Sequence, residues 1–187
     1  MKLNKILTTL LLSTLPLYSL AQAPKKVLDV YTIEGSITPE TFTDFRETFD
    51  EYDIKVVKLM SGGGDLYAAI NIGFLLSQGD TITFIPKNTG CASACGYIFL
   101  SGKYKVLRGG LGMHEFSQDG VGYTSLSDKI KLDNTETMLT VSNYLGTIGV
   151  SYKFLLDSLN TPSEDMTWVE DINVLNKYIL KGYLISN

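Results

Sequence analysis

Twice in this chain a run rich in branched residues passes through a turn of small residues and straight into an apolar helical segment. Lys55 to Met60 leads into Ser61-Gly62-Gly63-Gly64-Asp65 and then into an apolar stretch from Leu66 to about Gln78. Thr81 to Ile85 precedes Gly90-Cys91-Ala92-Ser93-Ala94-Cys95-Gly96, which opens a small-residue helix from about Ala94 to Ser101. Strands that feed helices in this order point to an α/β fold, a mostly parallel sheet with helices packed on it. Sites in such folds form in the loops at the carboxyl ends of the strands.

The remaining chain extends the alternation. Val27 to Ile33 reads as a strand, and Thr38-Pro39-Glu40 opens a helix with Thr38 as its cap and Pro39 at its first position. Phe42, Phe45 and Phe49 then recur at helical spacing. Short strands are expected at Tyr104 to Leu107 and Leu111 to His114, a long helix from Thr124 to about Leu145, a shorter one from Ser151 to Leu159, and a last one near Asp171 to Lys177. With no internal repeat, linker or low-complexity tract, residues 22–187 read as one domain.

Residues 1–21 read differently. Lys2 and Lys5 precede an apolar run from Ile6 to Leu20, and small residues follow at Ser19, Ala21 and Ala23, the layout of a Sec signal peptide. The run is short for a spanning helix and Pro16 interrupts it, which disfavours an uncleaved anchor. Cleavage after Ala21 fits better than after Ala23, which would leave Pro24 just past the scissile bond. Residues 22–187 keep all 20 acidic side chains while losing two of the 16 basic ones, so they are more acidic than the whole chain at −4. No basic cluster suggests nucleic acid, and no later segment is apolar enough for stable membrane insertion. The expectation is a periplasmic or secreted protein.

Two turns and one histidine are the places where chemistry concentrates. The three glycines lack the Gly-Lys-Ser or Gly-Lys-Thr of a phosphate loop, and Tyr67 stands where a dinucleotide fingerprint needs its third glycine. A better use is a turn whose bare N–H groups face an oxyanion; a plain tight turn is the alternative. Ser93, where the second turn enters a helix, reads either as a helix cap or as a nucleophile, with the next N–H as oxyanion donor. His114 is the sole histidine, so imidazole catalysis must use it; a structural hydrogen-bonding residue is the other reading. A metal site built from several histidines is excluded, and no cofactor is expected. Asp119, Asp128, Asp133, Asp157, Asp165 and Asp171 all lie downstream of His114, and spacing alone does not choose among them.

Ser61-Gly62-Gly63-Gly64-Asp65 before an apolar helix, Cys91-Ala92-Ser93-Ala94-Cys95-Gly96 before Tyr-Ile-Phe-Leu-Ser-Gly, and Gly112-Met113-His114 together resemble the Clp protease proteolytic subunit and signal peptide peptidase superfamily, most closely its small exported Clp-like branch. The resemblance runs from about Val27 to Leu184 and implies the crotonase-like fold of repeated strand-strand-helix turns. It implies Ser93 as nucleophile, because Ser93 to Gly102 matches the family's run without a gap, and His114 as general base. It implies Asp165, within Ser163-Glu164-Asp165-Met166-Thr167-Trp168, as third triad member, and the N–H groups of Gly64 and Ala94 as oxyanion donors. Two departures stand out: Gly62 replaces a proline of the protease, and a shorter connection reaches the strand before His114.

The resulting expectation is an exported serine peptidase acting on peptide or unfolded protein. Family members form rings or trimers, which implies a homo-oligomer. Within the same superfamily a serine and lysine pair is the rival mechanism, for which Lys129 and Lys131 lie in the right neighbourhood. A binding or scaffold protein that keeps the fold without the activity is a second reading, and an acyl-CoA enzyme a third that export disfavours. Cys91 and Cys95, the only cysteines, are four residues apart around Ser93 and read either as a bridge across the nucleophile turn or as two buried thiols.

Overall fold

A computed structural model describes residues 24–116 and 134–185. The expected signal peptide, Lys129, Lys131, Asp119, Asp128 and Asp133 lie outside the described residues.

Strand β1 (Lys26–Ile37) leads into α1 (Pro39–Glu51), where Thr38 caps as expected: its side chain accepts from the Thr41 N–H while the Thr41 hydroxyl accepts from the Thr38 N–H. Strand β2 (Tyr52–Gly64) is longer than its branched run, because all three glycines continue the strand before α2 (Leu66–Leu76) begins. Then come β3 (Ile82–Ile85), β4 (Gly90–Ala92), α3 (Ala94–Ser101), β5 (Tyr104–Leu107) and β6 (Gly110–Met113). Helix α4 (Asn134–Ile148) covers the end of the long helix expected on sequence, whose Thr124 start lies outside the described residues; Gly149 ends it at φ +71°, with the Val150 N–H bonding back to the Leu145 carbonyl. Helix α5 (Lys153–Leu159), β7 (Thr167–Val169), a 3-10 turn (Ile172–Lys177) and β8 (Tyr183–Ile185) follow.

The sheet divides along β2. Its whole length pairs in parallel with β1; on the other edge, Val56 to Lys58 pair with β3, and Ser61 pairs with Cys91 of β4. One branch continues β3-β5-β8 and the other β4-β6-β7, parallel throughout except for β7 against β6. Sequence propensity missed β4, β7 and β8 because each is three residues long and is held by its register against a neighbour.

Helix α3 has every residue buried, which explains its lack of any charged side chain. Tyr144 of α4 reaches across this core: its hydroxyl donates to the Tyr97 carbonyl at 2.8 Å and lies where any side chain at Gly73 would sit. Beneath α1, Phe45 is fully buried and packs edge-on against Tyr31. A partly exposed apolar row runs across β1, β2 and the β3-β5-β8 branch. There the register aligns Val30, Val56, Ile82, Tyr104 and Tyr183 in one row, with Phe84, Val106 and Ile185 beside it. Val30 is 49% exposed and Tyr183 59%. Among the described residues no helix is long and apolar enough to cross a membrane.

Phe45→Ala should cost about 3–5 kcal/mol of unfolding free energy, and Thr38→Ala about 1 kcal/mol. Denaturant melts of both variants check the ranking; a Thr38 effect equal to that of Phe45 would contradict it.

Candidate active site

Strand β4 delivers Ser93 to the start of α3 in an unusual backbone conformation, φ 53° and ψ −127°. That region disfavours any residue with a Cβ and costs about 1–3 kcal/mol. Three links hold the turn. The Ser93 N–H donates to the Gly112 carbonyl of β6 at 3.0 Å, and its own carbonyl accepts from the Gly96 N–H at 2.9 Å. Around both, Cys91 and Cys95 form a disulfide with a Cα separation of 5.2 Å, and both are fully buried. The bridge was one of two readings open on sequence, and it is the one the fold adopts. The Ser93 side chain is half-buried and makes no capping hydrogen bond to α3. A short side chain aimed out of a strained strand-to-helix turn is how a serine nucleophile is presented.

The glycine end of β2 lies directly against this turn. A Cβ at Gly63 would stand 2.7 Å from the Ser93 Cβ, 2.9 Å from the Ala92 oxygen and 3.1 Å from the Ala94 nitrogen, and Gly63 has φ +105°. Gly64, at φ +139°, is pressed instead against β1, where a Cβ would meet the Ile37 carbonyl oxygen at 2.2 Å. Asp65 then caps α2, its carboxylate accepting from the Ala68 N–H at 2.6 Å. The contact at Gly63 therefore sets the amino termini of α2 and α3 side by side. First-turn amides such as that of Ala94 have no partner within a helix, and two positive dipole ends favour negative charge between them. Gly63 escaped the sequence reading because three consecutive glycines do not say which one touches the serine.

His114 follows the last residue of β6, the strand next to β4, so Ser93 and His114 leave adjacent parallel strands at the same end. The imidazole is half-buried, and among the described residues its Nδ1 is buried without a hydrogen-bond partner. Burial pulls its pKa below the ordinary value of 6.5, and the Glu115 carboxylate acts in the opposite direction.

The candidate carboxylates separate by their surroundings. Asp157 accepts from the Tyr178 hydroxyl at 2.7 Å and pairs with Lys153, and Asp171 caps the 3-10 turn. Asp165 lies on the turn between α5 and β7, and antiparallel pairing of Met113 with Thr167 brings this segment alongside the histidine strand. Its side chain is exposed, and among the described residues no hydrogen bond or ion pair joins it to the His114 ring. Glu115, which the sequence reading passed over, is by contrast 1% exposed.

No protein-family model matches the chain, and no curated protein matches it. Solved structures do. A serine-to-alanine mutant of the membrane-bound stomatin-specific protease 1510-N aligns at TM-score 0.56 and 19% identity, over 88% of this chain and 82% of that one. A lysine-to-alanine mutant of the same protease in complex with a substrate peptide aligns at TM-score 0.56 and 18% identity, over 88% and 78%. ClpP1 from Listeria monocytogenes aligns at TM-score 0.55 and 16% identity, over 84% and 91%. The chain has the Clp-protease-like fold that the motif resemblance implied.

Gly63→Ala should push the β2 end away from Ser93 while leaving the Cys91–Cys95 bridge intact. Reaction of Ser93 with a fluorophosphonate is expected to fall at least about 100-fold, in a protein that still shows no alkylatable thiol before reduction. Labelling at the wild-type rate would contradict the contact's importance.

Proposed function

We propose that this chain, built on the Clp-protease-like fold, is an exported serine peptidase that hydrolyses short or unfolded polypeptides without a cofactor. The observation that carries the reading is Ser93: a serine held at φ 53° by a disulfide, beside two helix amino termini, on the strand next to the one that ends at the sole histidine. Strained backbone of that kind clusters at active sites and ligand clamps.

In this mechanism the neutral His114 ring takes the Ser93 hydroxyl proton as the Ser93 Oγ attacks the scissile carbonyl carbon. The carbonyl electron pair moves onto oxygen, where the N–H groups of Gly64 and Ala94 stabilise it. His114 then gives the proton to the leaving amine as the C–N bond breaks, which leaves the acyl group on Ser93. Water, activated by the same imidazole, repeats the two steps and releases the acid. Asp165 is the carboxylate assigned to orient the imidazole; its turn packs beside the histidine strand through the β6–β7 pairing. A Ser-Lys pair would need Lys129 or Lys131 as the base instead.

Export to the periplasm or outside the cell is supported by the amino-terminal pattern and by the buried disulfide, which persists in an oxidising compartment. Self-association is assigned to the partly exposed apolar row that runs from β1 through the β3-β5-β8 branch, where Val30, Tyr183 and Ile185 are exposed. The competing reading, a binding protein on the same fold, draws on the exposed Asp165 carboxylate.

A fluorophosphonate probe separates the two. The peptidase reading expects labelling of wild type, none of Ser93→Ala, and retained labelling of Lys129→Ala and Lys131→Ala. Because burial lowers the His114 pKa, the neutral base persists below the usual imidazole range, so the labelling rate should fall on acidification with a midpoint under about 6.5. Equal labelling of wild type and Ser93→Ala would refute the nucleophile, and an acid midpoint above that value would contradict the buried base.

A further inference from the structure

Glu115 is a buried carboxylate that the mechanism above does not use. A carboxylate costs free energy to bury, and an apolar side chain would serve the core better, so its presence asks for a role. Its contacts supply one. The Glu115 N–H donates to the Thr161 carbonyl at 2.9 Å, and its Oε1 accepts from the Ser163 N–H at 3.2 Å. One residue, next in sequence to His114, thus grips the turn after α5 at two points two residues apart. The Asp165 N–H closes the same turn on the Pro162 carbonyl at 3.0 Å, so the grip extends to the backbone of Asp165.

We infer that Glu115 is a positioning residue: it clamps the turn 161–165 to the histidine strand and so fixes where the Asp165 segment lies relative to the His114 ring. This rests on the peptidase reading for its consequence, though the clamp itself does not. The Glu115 carboxylate also offsets part of the burial felt by the imidazole, because a nearby negative charge favours the protonated ring. The other charged groups on the turn packed against this strand are Glu164 and Asp165, both exposed and therefore better screened by solvent.

Two readouts on the full chain test the clamp without reference to activity. Hydrogen exchange of the Ser163 amide should match wild type in Glu115→Gln, which keeps the acceptor, and should speed up at least about tenfold in Glu115→Ala. The imidazole signal of the sole histidine should titrate at lower pH in Glu115→Gln than in wild type, because the charge is gone. In the peptidase assay, Glu115→Ala should lose kcat at unchanged KM, and Glu115→Gln should recover activity to within about threefold of wild type. Unchanged Ser163 exchange in Glu115→Ala, or an unmoved histidine midpoint in Glu115→Gln, would overturn the inference. Wild type that fails to label at Ser93 would end the peptidase reading and leave these two measurements to decide the clamp.

Discussion

The bare backbone of Gly63 against Ser93 and Ala94 is the contact on which the site depends. It exists because β2 runs on through its glycines instead of turning, reaching the strained turn at the end of β4. Any side chain at that position would separate the two strand-to-helix turns by more than the contact allows. With the glycine in place, α2 and α3 start beside each other, and the backbone amides and helix dipoles act on one small volume. Division of the sheet along β2 serves the same end, since the β4-β6-β7 branch carries Ser93, His114 and the Asp165 turn.

Holding Ser93 at φ 53° costs free energy that must be recovered nearby. The recovery is local: the disulfide closes a loop of five residues, α3 is buried along its full length, and two backbone hydrogen bonds lock Ser93 to Gly112 and Gly96. A loop this short restricts the unfolded chain only modestly, so the bridge acts mainly on the geometry of the turn. That assigns the two cysteines to the aim of the serine more than to global stability.

Much of this was legible in sequence, and the reasons differ by residue. The α/β class followed from strand, small-residue turn and helix in repetition, and the bounds of α3 from its uniform apolar run closed by Gly102. Thr38 and Pro39 marked the start of α1 because capping is a local interaction that four residues specify. The short strands β4, β7 and β8 were not legible, since a three-residue strand is defined by its partner. Gly63 and Glu115 were hidden for the same reason: which glycine touches Ser93, and which acid is buried beside His114, are facts of tertiary contact. Asp157 and Asp171 drop out of the candidate acids only once the groups they bind are known.

A structure of the covalent adduct between Ser93 and a peptidyl phosphonate would test the central claim most directly. The expected adduct has phosphorus bonded to the Ser93 Oγ, one phosphoryl oxygen about 2.7–3.1 Å from the N–H groups of Gly64 and Ala94, and a His114 ring nitrogen within hydrogen-bond reach of the same group. An adduct on another residue, or a phosphoryl oxygen turned to solvent with His114 remote from it, would contradict it.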